Sequence, residues 1–278
     1  MLEPISRRSA DSEPARLKLT ACTGQHLGDR TEQQDRVGIF TSRRLPDAAL
    51  FVVADGMGGK TGGAMAAQQV MSTAKNLFAE YSVGGSIADL LTEIVKEAHL
   101  VIRLSALSTE KEPHSTIAAL LVQPHRADWA HVGDSRIYRF RGGKLTSRTT
   151  DHSYVEQLVT EGKLHPYGAN SHRLSNLLTS ALGTNKQPII DFGSAETLVA
   201  GETFLLCTDG LWHYFSDAEL AVVLATYVPR KASERLIELA RERAAGGGDN
   251  CSLAIVKLEL PGDDEAAAEP SELPVPRF

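Results

Sequence analysis

The chain has 278 residues, 42% of them hydrophobic, and a formal net charge of −6 at neutral pH. That length supports one substantial core in a single large domain, and the mildly acidic balance argues against nucleic acid as a partner. Cys22, Cys207 and Cys251 are too widely spaced for a disulfide framework or a zinc motif, which suits a reducing cytosol. No apolar run approaches the roughly 18 residues of a membrane helix. Arg7 and Arg8 are not followed by the apolar stretch of a secretory signal. The expectation is a cytoplasmic monomer with no membrane partner.

Residues 1–15 are polar and read as a flexible N-terminus. Residues 16–260 form one body without a linker or internal repeat. The stretch from 261 to 278 is acidic and proline-rich, buries too little apolar surface to offset its ordering entropy, and reads as a disordered tail.

Within the body, alternation or full burial predicts strands over 17–22 (LKLTAC), 36–41 (RVGIFT) and 49–54 (ALFVVA). Two helices follow, over 64–81 and 86–107, broken by Val83-Gly84-Gly85. Strands come next at 116–122, 127–132 and 135–140, then a helix over 154–164. Strands at 188–193 and 203–208 precede helices over 217–227 and 232–245, and a last strand covers 252–260. Ser153, Ser216 and Ser233 sit where helix N-caps are expected. The close-set strands between 115 and 146 connect as hairpins do. This is not the regular alternation of a doubly wound parallel sheet, so the class is α+β, with antiparallel sheets and helices packed outside them.

Five aspartates fall at strand edges beside glycine or small residues: Asp35, Asp55, Asp134, Asp209 and Asp249. Any one of them has a plain reading as a turn or cap residue. Five together call for cations or donors, because a desolvated carboxylate is costly alone. Oxygen ligands without local histidine or cysteine pairs suit hard cations such as Mg2+ or Mn2+. The segment from Ala54 to Thr61, ADGMGGKT, has a rival reading as a phosphate loop with alanine in the first glycine place. Against that rival, Asp55 lies in the loop that should surround anions, and Gly62-Gly63 is a poor opening for the helix such a loop feeds. The glycine runs GGKTGG and GGG read as turns near a metal, and Lys60 as a surface residue of such a turn.

The ordered series of motifs resembles the metal-dependent protein phosphatases, the 2C-type Ser/Thr phosphatases, in their bacterial form. RTEQQD (30–35) is similar to the family's R-x-x-N-E-D, and DGMGGKTGGAMAA (55–67) to its D-G-M-G-G block. HSTIAALLV, the HVGDSR block with its DHS turn, LLTSALG, LLCTDGLW and GGGDNCSLAIV follow in the family's order, from about residue 17 to 259. The resemblance implies an antiparallel β-sandwich flanked by helices on both sides, a four-layer α-β-β-α arrangement. It implies two Mn2+ or Mg2+ ions that share a water, which attacks phosphoserine or phosphothreonine on a protein substrate. Asp55 would bridge both ions, with the Gly56 carbonyl beside it. Asp209 and Asp249 would hold the first ion and Asp35 the second. Asp134 would join Asp209 at a weaker third site, and Arg30 would grip the phosphate. A cognate Ser/Thr kinase is the implied opposing partner. A phosphopeptide-binding module without chemistry is a further rival, disfavoured because it would have no need of this carboxylate set.

The pattern is broken in places. Gln33 and Gln34 replace Asn and Glu, which removes a charge near the second ion. Met57 stands where animal members carry a histidine, His213 replaces an aspartate near the third site, and His114 replaces a glycine. His131 and Trp212 read as core residues, His152 as a cap for the helix after it, Cys207 and Cys251 as small apolar strand residues, and Asn250 as a loop-orienting side chain.

Overall fold

The computed structural model describes residues 17–261, except 83, 108–111, 166–167 and 169–171. The expected flexible N-terminus and all but the first residue of the expected tail lie outside the described residues. The side chains of Lys60 and Thr61 are also outside them.

Twelve strands and six helices are described. In chain order they are β1 (Lys18–His26), β2 (Arg36–Ser42), β3 (Leu45–Ala54), β4 (Gly56–Met57), α1 (Gly59–Glu80), α2 (Ile87–Leu107), β5 (His114–Ser115) and β6 (Ile117–Val122). Then come β7 (Ala127–Val132), β8 (Arg136–Arg141), β9 (Lys144–Arg148), α3 (Tyr154–Thr160), β10 (Asp191–Ala195) and β11 (Thr203–Cys207). The chain continues through α4 (Asp209–Trp212), α5 (Asp217–Thr226), α6 (Pro229–Ala244) and β12 (Cys251–Glu259).

One sheet has the order β1-β12-β11-β8-β9 and the other β10-β7-β6-β3-β2, and the small pair β4-β5 stands beside them. Every ladder is antiparallel. The period-two alternation of side chains then builds the layers. On β3, Ala49, Phe51 and Val53 face the partner sheet and pack with Leu120, Phe204, Leu206, Ala254 and Val256. Leu50, Val52 and Ala54 face the other way, against Val70, Phe78, Leu91 and Ile94 of α1 and α2. On β11, Leu205 and Cys207 point out to Leu220, Leu224 and Leu236 of α5 and α6. The result is the expected α-β-β-α stack, two helical layers around a sandwich. Cys207 and Cys251 lie in that packing as buried free thiols.

Local sequence rules explain most helix ends, with three corrections. Ser153 caps α3 by accepting the Glu156 N–H, and Ser216 closes a full capping box with Glu219 on α5. Ser233 is no cap: α6 begins four residues earlier, with Val228 at the N-cap and Pro229 in the first turn, and Ser233 is buried inside it. His152 does not cap α3 either, because the adjacent Ser153 hydroxyl takes that place. Only Gly58 of the GGKTGG run lies in a turn, as the N-cap, and the rest forms the first residues of α1. Packing against the sheet outweighs the poor helix propensity of its glycines.

Candidate metal centre

The antiparallel order gathers the five aspartates at one end of the sandwich. Asp55 follows the last residue of β3 and Asp35 precedes the first residue of β2, and Arg36 pairs with Ala54 across that ladder. Asp209 follows β11 after Thr208, where Cys207 pairs with Arg136 of β8 and with Leu253 of β12. Asp134 leads into β8 and Asp249 into β12. Strands that alternate in direction bring three strand starts and two strand finishes together here.

Hydrogen bonds fix this end. The Asp55 N–H donates to Thr116 Oγ1 at 2.9 Å, and Thr116 N–H returns a bond to the Asp55 carbonyl at 2.9 Å. Thr116 Oγ1 also meets Ser135 Oγ at 2.6 Å, which ties the β3 end to the Asp134 turn. The Thr208 hydroxyl donates to Asp35 Oδ2 at 2.8 Å, linking the two sheets. Asn250 accepts the Gln34 N–H at 2.7 Å and donates to the carbonyls of Leu27 and Glu32 at 2.7 and 3.0 Å. It is therefore a loop-orienting residue, as the sequence suggests. Gly56 pairs with Ser115, and its carbonyl packs against Gly63 of α1.

Trp212 is buried, as expected of a core residue, and also serves the site. Its Nε1–H donates to the Asp134 carbonyl at 2.9 Å. The Arg136 guanidinium lies 3.4 Å above its ring and forms a bidentate pair with Asp151, at 2.8 and 2.7 Å. These supporting residues were missed in the sequence. Their signals were present but faint: an arginine opening the strand RIYRF, and single hydroxyl residues, Thr116 and Thr208, at the ends of apolar runs.

The carboxylates strain against one another. Burial, with the charges of Asp209 and Asp249, pushes Asp35 up to about 7 despite the Thr208 hydrogen bond. Burial, then Asp249, pushes Asp209 up to about 6. Asp55 lies well above the usual carboxylate range through burial and then the charge of Asp35, and Asp134 through burial and then Asp209. Asp209 Oδ1 is buried with no hydrogen-bond partner. Among the described residues, the cation hydrogen-bonded to the set is Arg30, whose Nη2 donates to Asp249 Oδ2 at 2.5 Å, and its side chain is 61% exposed. One exposed arginine does not balance five converging acids, so the set fits hard divalent cations.

The other sequence-singled residues are placed as follows. Gln34 turns its amide to the Gly59 carbonyl at 2.9 Å, and the Gln33 side-chain amide is buried without a partner. Met57 pairs with His114 across β4 and β5. The His213 ring packs against Trp212 and Tyr214, and burial, with Arg136 nearby, lowers its pKa.

The model of the family described as Protein phosphatase 2C matches residues 23–242. The chain belongs to the protein phosphatase 2C family. It is similar to the serine/threonine protein phosphatase PstP of Mycobacterium tuberculosis, 35% identical over 217 residues that make up 76% of this chain and 40% of that protein. The chain thus spans less than half the length of that relative. The structure resembles the Streptococcus agalactiae serine/threonine phosphatase at 30% identity, with a TM-score of 0.79, over 87% of this chain and all of that one. It also resembles the catalytic domain of PstP in complex with two manganese ions, at 29% identity and a TM-score of 0.72, over 88% of this chain and 100% of that one. The antiparallel layers of this phosphatase 2C member exclude the phosphate-loop fold, which needs a parallel sheet.

Proposed function

We propose that this chain is a Mn2+- or Mg2+-dependent phosphoprotein phosphatase that hydrolyses phosphoserine and phosphothreonine, in the cytoplasm, as a monomer that opposes a Ser/Thr kinase. The observation that carries this reading is the convergence of Asp35, Asp55, Asp134, Asp209 and Asp249 at one end of the sandwich, with Asp209 Oδ1 buried and unpartnered. The two manganese ions of the related PstP structure support it.

In this reading Asp209 and Asp249 would hold the first ion and Asp35 the second, with Asp55 and the Gly56 carbonyl beside both. Asp134 and Asp209 offer a weaker third place. Two such ions, when bound, neutralise phosphate charge and lower the pKa of water. The protein supplies positioning. Thr116 and Thr208 hold Asp55 and Asp35 in place through the bonds described above. Arg30 occupies the rim of the cluster on Asp249. There its guanidinium would offer paired N–H groups to two oxygens of a phosphoryl group, the geometry arginine suits best. Met57 has no proton to give a leaving alkoxide. No phosphoenzyme is needed.

The test is hydrolysis of a phosphothreonine peptide with metal added or chelated. Activity that requires Mn2+ or Mg2+ and is lost in Asp209→Asn is expected. Full activity in excess chelator overturns the proposal.

A further inference from the structure

Among the described residues, one compact grouping of metal-type side chains lies outside the aspartate set. His131, His152 and Asp191 each place a ligand atom within 4.8 Å of the other two. His131 of β7 and Asp191 of β10 face each other across the ladder, and His152 comes from the turn before α3. The imidazole centroids are 4.6 Å apart, and His152 Nε2 is 3.4 Å from Asp191 Oδ2.

The donor chemistry is unusual for a packed interior. Both histidines are buried, with 2% and 8% exposure, and each has one ring nitrogen without a hydrogen-bond partner, Nδ1 of His131 and Nε2 of His152. Unsatisfied buried polar atoms cost about 1–3 kcal/mol each. His131 Nε2 donates to the Thr150 carbonyl at 2.9 Å, so its proton sits there and Nδ1 keeps a lone pair. A carbonyl behind the far ring nitrogen is the support that metal-ligating histidines commonly have. Burial, with His152 alongside, holds the His131 ring below its ordinary range, so it is neutral at pH 7.

We propose that His131 Nδ1, His152 Nε2 and an Asp191 oxygen form a site for one borderline transition cation of the Zn2+ class, distinct from the hard-cation aspartate cluster. Two nitrogens and one oxygen match a zinc ligand set with a fourth position left for water. Tetrahedral bonds of about 2.0–2.1 Å put ligand atoms about 3.3 Å apart, a spacing His152 and Asp191 nearly have at 3.4 Å. The Asp191 side chain is 51% exposed, and one of its oxygens already lies within 4.8 Å of both histidine ligand atoms. Ligation has a cost. His152 Nδ1 accepts the Gly133 N–H over 3.3 Å, so the neutral ring carries its proton on Nε2. Binding shifts that proton to Nδ1, and this long contact is given up. The His152 N–H still donates to the Gly133 carbonyl at 2.9 Å. An ion here therefore acts on the residue that precedes Asp134. The site rests on its own donors and does not depend on the phosphatase reading.

The experiment is a Co2+ titration of the full chain in saturating Mg2+, which occupies oxygen sites and competes poorly for imidazole. The expected result is one equivalent of Co2+ with the visible absorption of a tetrahedral nitrogen-containing site, displaced by Zn2+. Asp191→Asn should weaken binding by at least about tenfold, and His131→Gln should abolish the band. Asp191 lies on the surface, so its variant carries the test if His131→Gln does not fold. Absence of the band in Mg2+, an unchanged affinity in Asp191→Asn, or loss of the band in Asp209→Asn with the histidines intact overturns the proposal.

Discussion

Substituting Gly63 by alanine sets two physical effects against each other. Gly63 lies inside α1, where alanine is favoured over glycine by about 1 kcal/mol. Propensity alone therefore has the variant more stable. The packing reverses this. A Cβ on Gly63 would sit 2.3 Å from the Gly56 carbonyl oxygen and 2.9 Å from Gln34 Cδ. A carbon–oxygen contact needs about 3.3 Å, so the overlap with Gly56 is roughly 1 Å. The obstruction is main chain on both sides, since a Cβ on Gly56 would meet the Gly63 carbonyl at 2.0 Å. Neither partner can rotate away, and α1 and β4 must move apart. Overpacking of this kind costs about 1–3 kcal/mol. Less the helix gain, the net loss is about 0–2 kcal/mol, or up to about 4 °C in Tm for a domain of this size. The effect on turnover is larger, because Gly56 adjoins Asp55 and a shift of about 1 Å in a catalytic constellation costs on the order of 100-fold. The assay pairs thermal unfolding with initial rates on a phosphothreonine peptide across a Mn2+ series. Gly247→Ala is the control, since its Cβ meets the Ala244 carbonyl at an ordinary 3.6 Å. A Gly63→Ala protein with a raised Tm and the wild-type Mn2+ response would refute the reasoning.

Other substitutions probe the same end of the sandwich. Asp209→Asn removes one of the acids that repel each other, so the metal-free protein should gain thermal stability while losing the stabilisation that Mn2+ gives the wild type. Calorimetry with and without chelator measures both. Arg136→Met leaves the buried Asp151 carboxylate without its bidentate partner, and should cost about 3–5 kcal/mol in urea unfolding. In chelator, wild-type stability should fall as pH rises from about 4 to 7. Asp35 and Asp209 have folded-state values raised to about 7 and about 6. The folded state then binds more protons than the unfolded state between the ordinary carboxylate pKa and these values, and loses that advantage as they ionise. Added Mn2+ should flatten the slope, and a Tm that rises over this range in chelator would contradict the charge crowding.

Periodicity made the layers legible. FVVA and TFLLC alternate between two apolar environments, and both faces of these strands are buried. Nine of the ten longer strands and the five longer helices were therefore readable, β9 being missed because its KLTSR is short and largely polar, and the site aspartates could be placed at strand ends beside glycine. Short elements were not. β4, β5 and α4 have two to four residues each, too few for any period to show, and tertiary contacts alone define them. The opening of α1 misled for a related reason: glycine propensity argues against helix, but the close approach of Gly63 to Gly56 demands it. Residues that act through others were hidden because their types are ordinary. His131 looked like a packed histidine and is one, yet its unpartnered Nδ1 appears only once β10 is laid beside β7.

The pairing of β1 with β12 has a consequence for how the protein is made. Thr20 reaches Glu259 across a sequence separation of 239 residues, so the edge of one sheet closes only when nearly the whole body is present. Asp35 and Asp55 leave the ribosome early, but Asp249 enters just ahead of the last strand. Such long-range closure is slow compared with local folding. A nascent chain stalled before residue 249 has neither a finished sheet nor a complete set of acids, so the proposed dephosphorylation should switch on abruptly once β12 is made. A premature stop or a proteolytic nick ahead of β12 would leave a product that is silent rather than weakly active.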